Sequence, residues 1–149
     1  MIEYQSKIKD VEFGHDVKIV HPVNIYGCQI GDYSFVGPFV EIQKDVTIGQ
    51  RTKIQSHTFV CELVSIGDDC FIGHGVMFIN DLFEDGGPAQ GDTSKWKETH
   101  IGNKVSIGSN ATILPVEICD NVVIGAGAVV TKNIDQPGVY VGNPAKQIR

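Results

Sequence analysis

Large apolar residues recur every six positions along most of the chain. Ile30, Val36, Ile42, Ile48, Ile54, Val60, Ile66, Ile72 and Phe78 share one register. The series returns at Ile101, Ile107 and Ile113, drops one residue, and runs on through Ile118, Ile124 and Val130. A looser beginning shows at Val11, Val17 and Val23. Two residues ahead of the regular positions stands a second column: Cys28, Ser34, Val40, Val46, Thr52, Thr58, Val64, Cys70 and Val76, then Thr99, Val105, Ala111, Val116, Val122 and Ala128. These are all small or β-branched, which suits short strands that each turn one large and one small side chain inward.

Six residues cannot hold a helix, and a β-sandwich would show hairpin turns and strict two-residue alternation. The period is that of a parallel β-helix of hexapeptide repeats, an all-β prism with short strands on flat faces. Three hexads make a coil of about 18 residues, so the chain should form about six coils in a single domain, residues 1–149. Glycine follows the large residue at positions 31, 37, 49, 67, 73, 102, 108 and 125, where a corner is expected to need a permissive backbone. Two segments depart from the repeat. Residues 79–100 form a loop too long to be idle in a compact domain, and residues 131–149 are expected to leave the coils as a Pro- and Gly-rich extension.

Composition narrows the class. A net charge of −6 with no basic cluster argues against nucleic acid, and no apolar run is long enough for a membrane span. With no signal-peptide core near the N-terminus, a soluble cytoplasmic protein is expected. Cys28, Cys61, Cys70 and Cys119 show no CxxC spacing and read as reduced. Cys28 and Cys70 should fill the core, and Cys61 and Cys119 should sit at corners. No metal site is expected. A zinc hydrolase on such coils needs three converging histidines, and among the five here only His57 and His74 fall within one coil.

The repeats, the loop and the ending VGNPAKQIR resemble the left-handed β-helix acyltransferases that use acetyl-CoA. GHGVMFINDLF, GGPAQGD, W-x-x-T, SIGSNATILPV and VVIGAGAVVTK together are similar to sugar-nucleotide N-acetyltransferases acting on a 3-amino group. The GGPA loop is most like enzymes for dTDP-3-amino-3,6-dideoxyhexoses, which serve surface-glycan synthesis. The resemblance implies left-handed coils, acetyl-CoA as co-substrate, and a homotrimer with acetyl-CoA in grooves between subunits. A UDP-linked 3-amino uronic acid, or O-acetylation, is the alternative within the family. A non-catalytic binding module would need neither the loop nor the tail.

N-acetylation requires a neutral amine, a stabilised oxyanion and a route for the amine's proton. His74 lies two residues beyond inward Ile72 and should point outward beside a corner, where a side chain titrating near neutrality is a candidate base. A surface histidine at a subunit contact is the plainer alternative. Asn80 takes the equivalent place one hexad later, and the two are expected to converge across one corner. Asp81 can pair with a substrate ammonium or orient the histidine. One coil earlier, Ser56 should stack on His74 and Glu62 on Asn80 as supporting groups. Phe83 and Trp96 can cover a sugar or base, although Trp96 can equally anchor the loop. Small outward residues at Ser109, Ala126 and Gly127 would admit pantetheine to the backbone, and Lys132 and Lys146 can meet phosphates. By resemblance, the GNPAK turn with Asn143, Pro144 and Lys146 lies near the adenosine end.

Overall fold

The computed structural model describes residues 1–149. The chain is a left-handed parallel β-helix whose two- to four-residue strands stack into three sheets. The first face has seven strands, from Ile8–Lys9 through Met77–Phe78 to Val129–Val130. The second has six, from Glu12–Phe13 to Glu117–Ile118. The third has eight, from Lys18–Ile19 through Phe71–Ile72 to Gly138–Val141 and Lys146–Gln147. The first face is thus seven coils deep, not six, because the repeat begins before Val11. No helix is long and apolar enough to cross a membrane.

Both inward columns are realised. Ile54, Ile72, Ile107 and Ile113 are 0–1% exposed, as are Val76, Val105, Ala111 and Ala128. Cross-strand register keeps like over like: Ile48 pairs with Ile66 and Ile54 with Ile72, and across the insertion Ile72 pairs with Ile107. The loose start is in different phase from the one expected. Phe13 pairs with Ile30, Ile19 with Val36 and Ile25 with Ile42, so these are the large positions. Val11, Val17 and Val23 fall in the small column. A five-residue step between Ile25 and Ile30, turning at Gly27 (φ +64°), shifts the phase by one.

The polar members of the small column form a ladder inside the prism. Ser34 donates to the Gly49 carbonyl (2.8 Å) and accepts from the Thr52 amide (3.1 Å). Thr52 then donates to the Gly67 carbonyl (2.8 Å) and accepts from the Cys70 amide (3.0 Å). Cys70 is therefore more than core filler, since its thiol continues the ladder to the Gly102 carbonyl at 3.1 Å. No buried side-chain polar atom lacks a partner, as a low-dielectric interior demands. All four cysteines are free. Cys119 is half-buried at its corner, but Cys61 is 3% exposed and belongs to the core.

The hexad glycines serve a purpose other than the expected one. None of the eight has positive φ; that conformation falls two residues later, at Tyr33, Phe39, Arg51, Asp69, Asn110 and others. What the glycines provide is room. A Cβ on Gly73 would lie 2.7 Å from the Ile107 carbonyl oxygen, and one on Gly108 would lie 2.4 Å from the Ala126 nitrogen. Successive coils touch backbone to backbone at these corners.

Residues 131–149 do not leave the coils at once. Ile134, 6% exposed, bridges Ile118 on the second face. Gly138–Val141 then pairs with Val122–Ile124 on the third, and the Ala145 amide reaches the Val129 carbonyl at 2.8 Å. Only Lys146–Gln147 reverses, antiparallel to Gly138–Val141. The uneven spacing from Val130 to Ile134 to Tyr140 hides this last coil from a six-residue count.

Candidate functional site

The expected site residues fall on two different edges of the prism. The first edge is the corner between the third and first faces. Phe71–Ile72 pairs with Ser106–Ile107, which pairs with Val123–Ile124, and Ile124 pairs with Tyr140. Two residues beyond each inward position, these registers stack Ser56, His74, Ser109, Ala126 and Gly142 in one column. Backbone hydrogen bonds bind it together: Gly75 N–H to Ser56 O (3.0 Å), Asn110 N–H to His74 O (2.8 Å) and Gly127 N–H to Ser109 O (2.8 Å). The His74 side chain is exposed and has no hydrogen-bond partner within the chain. Beyond it the outward residues become small, ending at the GNPAK turn, three coils or about 14 Å from His74 at sheet spacing.

The second edge lies between the first and second faces and carries Lys44, Glu62, Asn80, Pro115 and Lys132 in another column. The loop springs from here. Asn80 holds its neck: the side-chain amide donates to the Glu62 carbonyl (3.2 Å), and its own carbonyl accepts from the Lys97 amide (2.8 Å). Asp81 accepts from the amides of Phe83 (3.0 Å) and Ala89 (2.7 Å), one with each carboxylate oxygen. The Ala89 N–H first, then that of Phe83, hold this carboxyl below its usual range, with the Trp96 side chain and the charge of Lys95 adding to them. Lys95 pairs with Asp85, and Lys97 with Glu84 at 3.5 Å. Under the loop lies a cleft of about 370 Å³ lined by Asn80, Asp81, Phe83 and Trp96 together with Gln43, Phe59 and Cys61.

Three expectations change. His74 and Asn80 do not converge across one corner. They stand on successive corners at opposite ends of Met77–Phe78, a face-width of up to about 20 Å for six extended residues. Lys132 stands on the Asn80 edge, away from Ser109, Ala126, Gly127 and Lys146. Asp81 is the internal fastener of the loop as well as part of its cleft. By contrast, Ser56 and Glu62 do stack as expected, and Ser109 keeps the His74 column despite the insertion. Two residues were overlooked. Asn110 bonds His74's own carbonyl, and Gln43 braces the cleft, its Oε1 accepting from the Glu62 amide at 3.2 Å. Column stacking would have revealed Gln43, which lies 18 residues before Cys61.

Comparison with known proteins fits this architecture. The profile described as "Bacterial transferase hexapeptide (six repeats)" matches residues 27–62. "Hexapeptide repeat of succinyl-transferase" matches residues 63–77 and 98–132, resuming just where the loop returns. Together they span more than half of the sequence. The chain belongs to the hexapeptide-repeat transferases. Within this family, it is 35% identical over 124 residues to the bifunctional protein GlmU of Streptococcus uberis, covering 83% of the chain and 24% of that protein. GlmU of Clostridium botulinum is 33% identical over 121 residues, covering 80% and 24%. The hexapeptide-repeat chain thus spans about a quarter of the length of these curated relatives. Among solved structures, a mutant of AntD, an N-acyltransferase from Bacillus cereus in complex with dTDP and coenzyme A, superposes with TM-score 0.80 at 23% identity. It covers 93% of this chain and 83% of that one. A hexapeptide-repeat acetyltransferase of Vibrio cholerae complexed with acetyl coenzyme A gives 0.69 at 24% identity, covering 83% and 70%.

Proposed function

We propose that the chain is an acetyl-CoA-dependent N-acetyltransferase acting on the 3-amino group of a nucleotide-linked 3-amino-3,6-dideoxyhexose, with dTDP as the favoured nucleotide. The observation that carries this reading is the column running from exposed His74 through Ser109, Ala126 and Gly142 to the GNPAK turn. A thioester placed at His74 can extend its pantetheine arm along small residues that expose backbone amides. Its phosphates then meet Lys146 at the far end. AntD, which shares the fold, is known in complex with both dTDP and coenzyme A.

In the reaction, the neutral amine attacks the thioester carbonyl, a C–N bond forms and the C–S bond breaks. His74 takes the ammonium proton and returns it to the departing thiolate, giving CoA and the amide. Asn80 and the aromatic cleft under the loop hold the sugar. Because these lie on a different edge from His74, a complete site joins the His74 edge of one subunit to the loop edge of a neighbour, as in a homotrimer. A 6-deoxy sugar is favoured over a uronic acid, since Lys95 and Lys97 are already neutralised by Asp85 and Glu84 within the loop.

The test is CoA release across dTDP- and UDP-linked 3-amino sugars and their 3-hydroxy counterparts. Turnover is expected with the dTDP amino sugar. Absence of turnover with every 3-amino substrate overturns the reading, and preference for the hydroxy sugar converts it to O-acetylation. General-base catalysis is worth about 10²–10⁴-fold, so His74→Ala retaining more than about a tenth of turnover removes the base role.

A further inference from the structure

Two to four coils before Asn80 along the same edge, a second cleft of about 300 Å³ is lined by Lys7, Lys9 and Lys44 with Asn24, Tyr26 and Gly27. Asp10 is the one carboxylate in its lining. None of the three lysines forms an ion pair. Three unneutralised cations on one small concavity are unexpected in a chain of net charge −6.

The cleft is built into the coil. Gly27 turns with φ +64°, and a Cβ there would lie 2.6 Å from the Lys44 Cβ, so the lysine stem lies flat on the glycine. The Gly27 amide donates to the Lys9 carbonyl (3.0 Å), and the Asp45 amide donates to the Gly27 carbonyl (3.0 Å), tying the three coils together. Burial first, then the negative charges of Glu41 and Glu62, push the Tyr26 phenol above its ordinary value. The nearby Glu41 carboxylate is occupied by the amides of Asn24 (2.9 Å) and Gln43 (3.1 Å). Gln43 lines the cleft under the loop, and its chain neighbour Lys44 lines this one. From Asn80 to Lys44 is two coils, about 10 Å, and to Lys9 four coils, about 20 Å.

We infer that Lys7, Lys9 and Lys44 form the subsite for the diphosphate of the nucleotide-linked substrate, at the end of the groove whose aromatic part holds the sugar. The inference rests on the proposed function for the identity of the substrate, but the site itself is a polyphosphate site by its own chemistry. Lysine ammoniums act as point charges that suit the several oxygens of a diphosphate. Coenzyme A also carries phosphates, and the geometry separates the two sources. The GNPAK turn stands on the other edge, at the opposite end of the molecule.

The experiment is calorimetric titration of the full chain with inorganic pyrophosphate, dTDP and 3′,5′-ADP at low and high salt. The variants are K9Q/K44Q and the charge-matched control K18Q/K53Q on the third face. Pyrophosphate and dTDP binding should weaken about tenfold per lysine removed, the size of a charge-assisted hydrogen bond. The control should bind like the wild type, and 3′,5′-ADP should be unaffected in both. The inference is overturned if the wild type binds neither pyrophosphate nor dTDP, if K9Q/K44Q binds them unchanged, if the control loses as much, or if 3′,5′-ADP is the ligand lost. Lysine-dependent pyrophosphate binding without acetyl transfer to any amino sugar would sink the proposed function and leave this subsite standing.

Discussion

Replacing Gly108 with alanine separates two explanations of the hexad glycines. If their role were a permissive backbone, Gly108→Ala would be harmless or favourable, because Gly108 lacks positive φ. Gly→Ala at a compatible conformation gains about 0.4–1 kcal/mol by restricting the unfolded chain. The structure gives the opposite sign. The new Cβ would lie 2.4 Å from the Ala126 nitrogen and 2.8 Å from its Cα, with no flexible side chain to yield. Restoring ordinary contact needs about 1 Å of separation between coils, enough to carry two hydrogen bonds out of range. Those bonds are Gly108 N–H to Ile124 O and Gly127 N–H to Ser109 O, both 2.8 Å. At about 1–2 kcal/mol for each bond left unmade, the loss is about 3 kcal/mol. For a chain of this size that is a fall in Tm of about 6–12 °C. Gly87→Ala is the control, since nothing lies within 4 Å of its added Cβ, and it should stay within about 0.5 kcal/mol of wild type. Thermal unfolding followed by far-UV circular dichroism, at one fixed protein concentration, reads both. Gly108→Ala melting within about 2 °C of the wild type, or Gly87→Ala falling as far, would refute the reasoning.

The proposed sharing of the site between subunits of a trimer predicts complementation. His74→Ala and Trp96→Ala should each be nearly inactive, but co-refolded mixtures should regain roughly a quarter of wild-type activity, the statistical share of trimer sites with one intact edge from each parent; no recovery would place the whole site in one subunit. Asp81 has a depressed folded pKa, so its hold on the loop is fully present above the unfolded value near about 3.9 and is lost as pH falls through the folded one. Protection of the Ala89 amide, its exchange rate relative to that of an unstructured amide at the same pH, should therefore hold from neutral pH down to about 4 and fall below it, while Asp81→Asn should remove it at neutral pH; protection that is insensitive to acid would dismiss Asp81 as the fastener. Burial pushes the Cys61 thiol up to about 12 and the Cys28 thiol up to about 11. A disulfide reagent at neutral pH should react with no more than the half-buried Cys119 in the native protein and with all four thiols in denaturant, and rapid native labelling of Cys61 would contradict the packing.

The regular part of the fold was legible because a prism face repeats itself. From Ile30 to Phe78 each hexad meets the same surroundings as its neighbours, so a column in the sequence is a column in space. The ends were not. One missing residue near Gly27 inverts the roles of Val23 and Ile25, and the last coil through Ile134 and Tyr140 keeps its place by hydrogen bonds rather than by spacing. The glycines were visible but their reason was not, because the distance from Gly108 to Ala126 exists only once coils are stacked.

The candidate site divides in the same way. Sequence alone singled out His74, Asn80, Asp81 and the long loop, since each breaks a pattern that has no other cause to break. It also determined the β-helix, because period and side-chain size are local properties of the chain. Which edge each residue occupies was a matter for the tertiary structure. Three corners to a coil mean that residues six apart face different directions, while residues 17, 18 or 35 apart come into contact. The separation of His74 from Asn80, the descent from His74 to the GNPAK turn, and the gathering of Lys7, Lys9 and Lys44 all follow from that winding.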